Sequence, residues 1–462
     1  MMKNLFRKKD VGKLLQQNSK NQLKKSLGAF DLILLGVGAI VGTGIFILPG
    51  TVASQHSGPA IVFSFIIAAI VCALAGMCYS EFSSAIPVTG SAYTYSYIVF
   101  GEIIAWLVGW ALLLEYGLAT AAVATGWSSY LSSLLAGFNI TLPQAISGPF
   151  SPENGTYINM PAIFIVLVIG YLLTLGIKES TRFNMIMVLI KVAVILLFIV
   201  VGVFYVEPDN WTPFMPFGTS GVFTGAALVF FAYLGFDAVS SAAEEVKNPQ
   251  RNMPIGIIGS LFICTLLYVA VSLVLTGIVP YTDLNVSDPV SFAMQLIQQD
   301  WIAGIISLGA VVGMMTVILV MTYGGTRLLY ALGRDGLLPK VMNEVHPKFK
   351  TPVKNTWIFT LLIAFCAGIV PLDKLTELVN MGTLLAFTLV SIGIIYLRKN
   401  KDIPPGGFKV PLYPVLPILS FIMCIFLISQ LSWHTWVACG IWFLIGLVIY
   451  FIYGKKHSNM NL

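Results

Sequence analysis

The sequence predicts an all-α polytopic membrane protein. Of its 462 residues, 57% are AVILMFWYC and only 10% are charged, whereas a water-soluble globular chain is about one-quarter charged. This composition excludes a multidomain soluble enzyme, a disordered chain, and a collagen-like or disulfide-rich secreted chain. The apolar stretches run on for about 20 residues without the alternation that barrel strands show, so each suits a membrane-crossing helix. The placement of the positive charges is the third observation, and it sets the number of crossings.

Apolar runs bounded by Gly, Pro or charge give twelve spans, near 30–55, 60–86, 101–135, 160–178, 184–206, 220–246, 254–280, 301–330, 356–371, 376–397, 411–430 and 433–453. With both termini inside, all of the 26 Lys and Arg except Lys374 and Lys191 fall on the cytoplasmic side of this layout. A misplaced span would scramble that parity, so the positive-inside rule supports both count and orientation in a multi-pass cell-membrane protein. The loops at 136–159, 207–219 and 281–300 carry Glu153, Glu207, Asp209, Asp283, Asp288 and Asp300 with no Lys or Arg, as external loops do. Trp211, Tyr281, Trp301, Trp357, Trp433 and Trp436 lie near span ends, where aromatic belts form.

Residues 1–29 form a basic arm with Lys3, Arg7, Lys8, Lys9, Lys13, Lys20, Lys24 and Lys25. It lacks the short apolar core and small-residue cleavage site of a signal peptide, so it is expected to remain as a cytoplasmic arm. The net charge of +6 is explained by this topology and needs no nucleic acid partner. Cys72, Cys78, Cys264, Cys366, Cys424 and Cys439 lie singly within apolar stretches, which implies no disulfide, metal or other cofactor.

Two spans should break. The first contains Gly36, Gly38, Gly42 and Gly44, four glycines in nine positions, and each weakens a helix by about 1 kcal/mol relative to alanine. Unwinding there would present the amides of Gly42, Thr43 and Gly44 at the start of a half-helix, a setting that suits a carboxylate. The competing reading is a close-packing face of small residues. The sixth span carries a second interruption, Phe230-Phe231-Ala232-Tyr233-Leu234-Gly235-Phe236-Asp237. The two sit at the same ordinal place in consecutive sets of five, at 30–206 and 220–397, which points to an inverted-repeat transporter with substrate held between the halves. Spans at 411–453 and a tail at 454–462 follow the repeats. Freed carbonyls around Phe231 to Leu234 suit an ammonium, and a ligand with both groups is an α-amino acid.

Buried charge supplies the remaining candidates. A lysine at the depth of Lys191, in the fifth span, is a functional hypothesis, with snorkelling to the interface as the alternative. Desolvation makes such an ammonium able to lose its proton. Glu115 and Asp237 are carboxylates within spans three and six, suited to relaying a proton, receiving a cationic side chain, or a structural hydrogen-bonding role. Glu81 and Glu102, near cytoplasmic span ends, suit structural pairing with Arg or Lys. The Arg334-Asp335 loop is read as structural too.

The string from Gly36 to Phe46, the break from Phe231 to Asp237, Glu244-Glu245-Val246-Lys247-Asn248-Pro249 with Met253-Pro254, Asn380-Met381-Gly382-Thr383-Leu384, and Arg334-Asp335-Gly336-Leu337-Leu338-Pro339 leading to His346-Pro347 and Thr351-Pro352 together resemble the amino acid/polyamine/organocation superfamily of permeases. The nearest likeness is to its bacterial branch similar to cationic amino acid transporters. The resemblance covers nearly the whole chain. It implies a leucine-transporter-type fold of five helices plus five inverted, with discontinuous helices 1 and 6 and two additional C-terminal helices. It implies a substrate site of Ile40, Gly42, Thr43, Gly44, Phe231, Ala232 and Leu234, with Phe231 as an aromatic gate. It also places Lys191 where sodium sits in sodium-coupled relatives, tying spans 1 and 8 together and coupling transport to protons. Met321, in span 8, would line the side-chain end of the pocket and shorten it. The expected activity is therefore uptake of small or medium neutral L-amino acids with a proton, by alternating access. An exchanger or a cationic amino acid or polyamine carrier is the alternative. An intramembrane enzyme is disfavoured because His56, His346, His434 and His457 are unpaired, and a channel because no continuous pore lining is evident.

Overall fold

A computed structural model describes residues 5–9, 27–86, 91–176, 181–237, 239, 246–400, 403 and 407–459. Glu244, Glu245, Lys178 and most of the basic arm lie outside the described residues. Among the described residues the chain is helical, with three isolated bridges and no sheet.

The helices are α1 (Ala29–Ile40), α2 (Thr43–Phe46), α3 (Leu48–Val52), α4 (Ile61–Ala85), α5 (Ser91–Val99), α6 (Glu102–Ala136), α7 (Met160–Thr174), α8 (Thr181–Gly202), α9 (Gly218–Val229), α10 (Pro249–Ile278), α11 (Pro289–Leu296), α12 (Asp300–Arg334), α13 (Val353–Ile369), α14 (Leu372–Lys399), α15 (Val415–Ser429) and α16 (Trp433–Ile449). Among the described residues, seven helical stretches are long and apolar enough to cross a membrane, and five shorter apolar helices accompany them. Each apolar run read from the sequence contains helix over most of its described residues. The chain is thus a polytopic helical membrane protein.

Proline and side-chain caps set several of the starts. Pro249 and Pro289 open α10 and α11, where a missing N–H costs nothing because no carbonyl precedes it in the helix. Asn159 caps α7 by accepting from the Ala162 amide at 3.1 Å. The same Asn159 oxygen accepts the Ser128 hydroxyl at 2.6 Å, so the cap also fixes α7 against α6. The longest helices, α6 and α12, have 35 residues each, about 52 Å at 1.5 Å per residue. They pack along one another, and α14 also packs on α6.

Paired tryptophans dock α16 on α6. The Trp110 indole donates to the Trp442 carbonyl at 2.8 Å, the Trp442 indole donates back to the Trp110 carbonyl at 3.0 Å, and Trp106 donates to Gly446 O at 2.9 Å. The Trp110 and Trp442 rings stack with centroids 4.5 Å apart. Each indole N–H thereby finds the acceptor it needs in an apolar setting.

One end of the bundle is held by carboxylates. Glu81, on α4, receives Arg398 of α14 through two hydrogen bonds of 2.7 Å and the Val410 amide through a third of 2.7 Å. At the start of α6, Glu102 accepts from the hydroxyls of Tyr97, Tyr450 and Ser458 at 3.0, 3.0 and 2.7 Å, and Arg7 stands 3.9 Å away. Asp335, at the end of α12, accepts from Lys9 and from the Tyr93 hydroxyl, both at 2.6 Å. Burial, and then the Asp335 charge, pushes the Tyr93 phenol well up from its ordinary range, so it remains a donor. Backbone bonds from Glu102 N to Arg7 O (3.0 Å) and Asn459 N to Asp335 O (3.0 Å) complete the arrangement. The described segments 5–9 and 458–459 are therefore both held on Glu102 and Asp335.

The bidentate Arg398 contact to a side chain only 5% exposed makes a stability prediction. Arg398→Ala leaves the Glu81 carboxylate buried without its cation and should cost about 3–5 kcal/mol, seen as a lowered melting temperature of the detergent-solubilised protein. Arg398→Lys should lose part of this, because an ammonium cannot reproduce the fork. A melting temperature unchanged in both variants would refute the assignment.

Candidate functional site: two broken helices

The ladder of α1 ends with the Val41 amide on Val37 O at 2.9 Å. Val41 is extended (φ −75°, ψ 103°), Gly42 has φ −152° and ψ −140°, and helix resumes at Thr43. Both readings of the glycine cluster are realised, at different positions. Gly42 lies in the unwound link, whereas Gly36, Gly38 and Gly44 are sites of close approach. A Cβ on Gly36 would lie 2.4 Å from Ser260 Oγ of α10, one on Gly38 2.6 Å from Val188 Cγ2 of α8, and one on Gly44 2.4 Å from Ala232 Cα.

The second interruption follows α9. A 3-10 turn, Phe230–Tyr233, gives way to extended Leu234 (φ −64°, ψ 145°) and then to Gly235 at φ +109°. An L side chain is strained at that angle, and a Cβ there would also lie 2.9 Å from the carbonyl of Ala39. The two interruptions are packed directly on one another, Gly44 against Ala232 and Gly235 against Ala39. Phe231 and Leu234 are buried at this junction.

Breaking a helix inside an apolar interior strands its carbonyls, and side chains from three other helices meet them. Lys191 of α8, 0% exposed, donates to Gly38 O at 2.8 Å and Val41 O at 3.2 Å. Its side chain does not snorkel. Tyr268 of α10 places one hydroxyl between the two breaks, 2.6 Å from Ala232 O and 3.2 Å from Ile40 O. Asn380 of α14 donates to Ala227 O at 2.8 Å and Leu228 O at 3.1 Å, at the end of α9. The carbonyl of Phe231 accepts the Leu234 amide at 3.2 Å. At the other side of the gap, the first amides of a helix resuming at Thr43 have no acceptor within it.

One face of α12 looks onto the first break. Met314 Sδ accepts the Thr43 hydroxyl at 3.4 Å, and Val317 lies 3.4 Å from where a Gly42 Cβ would stand. Met321, buried, is one further turn along the same stripe. Deeper between α6 and the second break, Tyr116 donates to Asp237 Oδ2 at 3.2 Å. Glu115, next to Tyr116 on α6, is buried; among the described residues neither of its oxygens has a hydrogen bond of normal length, and Thr383 and Asp237 lie nearby.

Sequence reading did not single out Tyr268. The signal available was a phenol at mid-depth of an apolar run, a hydroxyl that must find an acceptor when buried. Nothing local names that acceptor.

A family profile described as "Amino acid permease" matches residues 27–459. The chain belongs to this amino acid permease family. Over the full length of both chains it is 54% identical to a protein of Bacillus subtilis (strain 168) named methylthioribose transporter. It is 52% identical, again over the full length of both, to the branched-chain amino acid permease BcaP of the same organism. It is 40% identical to the vacuolar cationic amino acid transporter 4 of Arabidopsis thaliana, over 88% of this chain and 68% of that one. These relatives are transporters, so the permease is a membrane transport protein and not an enzyme.

Tyr268→Phe tests the bridge between the breaks. Losing the hydroxyl removes about 1–2 kcal/mol of bonding to two buried carbonyls, so initial transport rates should fall roughly tenfold in proteoliposomes containing equal amounts of folded protein. Wild-type rates would remove Tyr268 from the site.

Proposed function

We propose that this permease takes up small or medium neutral L-amino acids together with protons, across the cell membrane and by alternating access. In this reading twelve spans are arranged as five plus five inverted, over 30–206 and 220–397, with two further helices at 411–453 and both termini cytoplasmic. The amides of Gly42, Thr43 and Gly44 take the carboxylate. The backbone around Ile40, Phe231, Ala232 and Leu234 takes the ammonium, for which each occupied carbonyl still has a second lone pair. Phe231 covers the bound amino acid, and Met321 limits its length.

The observation that carries the reading is the Lys191 ammonium on the carbonyls that end the first half-helix. A bound cation and a protonated lysine are electrostatically equivalent there. When the lysine loses its proton, the remaining neutral amine holds Gly38 O and Val41 O more weakly, because the charge assistance is gone, and the half-helix shifts more readily. Protonation and helix position are thereby linked. Glu115, buried and without a hydrogen bond of normal length among the described residues, and Asp237 nearby suit a proton relay, because a polar group in that setting is stabilised by whatever proton, water or cation reaches it.

The relative at 54% identity favours a second reading, uptake of methylthioribose, a substrate with neither carboxylate nor ammonium. The two are separable in proteoliposomes by competition. Leucine, alanine, arginine and methylthioribose are offered against a labelled neutral amino acid, with an acid-outside pH gradient present or collapsed. Neutral amino acids should compete and accumulate only with the gradient. No uptake of the labelled amino acid, with labelled methylthioribose taken up in its place, would replace the amino acid reading, and accumulation indifferent to the gradient but dependent on internal substrate would make the protein an exchanger.

Two variants refine the outcome. Lys191→Ala should abolish gradient-driven accumulation, and unchanged accumulation removes Lys191 from the mechanism. Met321→Ser should let arginine compete at least several-fold better, and no gain would refute the size argument.

A further inference from the structure

The carbonyls that Lys191 reaches explain where its ammonium ends, but not what holds its four-carbon stem on that course. The stem crosses α12 at Gly313. A Cβ built there would lie 2.8 Å from Lys191 Cγ, 3.3 Å from Cδ and 3.2 Å from Cε. Three consecutive methylenes are therefore laid flat on a position that has no side chain. One turn away on α12, Gly309 receives Val194, whose Cγ2 lies 2.4 Å from the corresponding Cβ position. Lys191 and Val194 are three apart on α8, and Gly313 and Gly309 are four apart on α12, in the opposite order. The two helices thus run antiparallel here, with one row of α8 side chains seated in one row of α12 glycines.

We infer that Gly313 is a positioning residue for Lys191. This rests on the proposed coupling role of Lys191 and adds the part of α12 that aims it. Small residues commonly let membrane helices approach, and Gly309 does that for Val194. Gly313 differs in what lies on it. The nearest atom is Cγ, close to the α8 backbone, not the freely moving tip of the chain. A methyl group at Gly313 has to lift the stem from its base, from 2.8 Å toward an ordinary contact distance, and the head moves away from Gly38 O and Val41 O as it does so. The stem cannot move aside at no cost while its ammonium is bonded at 2.8 and 3.2 Å. Gly313 thus ties α12 to the protonation of Lys191 without touching substrate.

The experiment compares Gly313→Ala, Gly309→Ala, Lys191→Gln and the double variant Lys191→Gln/Gly313→Ala in proteoliposomes. It reads substrate exchange without a gradient, and gradient-driven accumulation as a function of external pH. Gly313→Ala should keep exchange within about twofold of wild type, lower accumulation at least fivefold and shift its pH midpoint. Gly309→Ala, which crowds Val194 instead, should leave the pH midpoint where it was. The double variant should accumulate no less than Lys191→Gln alone, because the methyl group then has no ammonium to displace.

A Gly313→Ala pH profile identical to wild type, or one matched by Gly309→Ala, overturns the inference while leaving Lys191 in place. Full accumulation by Lys191→Gln overturns the coupling role and this inference together. A melting-temperature cycle keeps the test informative if Gly313→Ala is poorly recovered. Its loss of stability should be relieved by adding Lys191→Ala, which clears the stem, and a deficit unaffected by that change overturns the inference.

Discussion

The interaction on which the rest depends is the capture of stranded backbone carbonyls by side chains from other helices. A peptide group released from its helix in an apolar interior costs several kcal/mol unless it finds a partner. Here Lys191, Tyr268 and Asn380 supply donors to carbonyls at the ends of α1 and α9, and each comes from a different helix. The breaks therefore exist because α8, α10 and α14 are placed to stabilise them. Conversely, those helices are registered against α1 and α9 by the bonds they make, so neither part of the arrangement forms without the other.

Glycine serves this architecture in two ways that composition does not separate. At Gly235 the backbone angle itself excludes a side chain. At Gly36, Gly38 and Gly44 the constraint is the neighbour: α10, α8 and the second break come so close that a methyl group would overlap them. The same logic reappears on α12 at Gly309 and Gly313. Close approach brings the backbones near enough for a tyrosine hydroxyl to span two helices, and a lysine stem to lie flat in the groove between two others.

Much of the fold was legible because long apolar runs, charge parity and prolines are local signals. The third span read at 101–135 appears as Glu102–Ala136, and the glycine-rich string breaks at Val41 and Gly42, within the stretch it marked. Lys191 was legible as a charge at depth, and so was its pairing with the first span once the family resemblance was taken into account. The pairing of Glu102 with a basic residue was legible too, and Arg7 supplies it. Tyr268, Gly313 and the Tyr450 and Ser458 partners of Glu102 were not. Each owes its role to a contact between residues far apart in the chain, 228 positions for Tyr268 and Ile40 and 348 for Tyr450 and Glu102. A hydroxyl or a glycine in an apolar run carries no mark of what will stand opposite it.

The seating of residues 5–9 and 458–459 on Glu102 and Asp335 has a practical corollary for anyone labelling this protein. Asn459 gives its amide to Asp335 O, and Leu5 and Arg7 give their carbonyls to the first turn of α6. A fluorophore or affinity handle attached at residues 5–9 or 458–459 therefore hangs from the base of α6 and α12 and loads the joint between them. Such a probe reports on that joint as much as on the molecule's whereabouts, and an apparently silent fusion deserves comparison with the untagged carrier before its kinetics are believed.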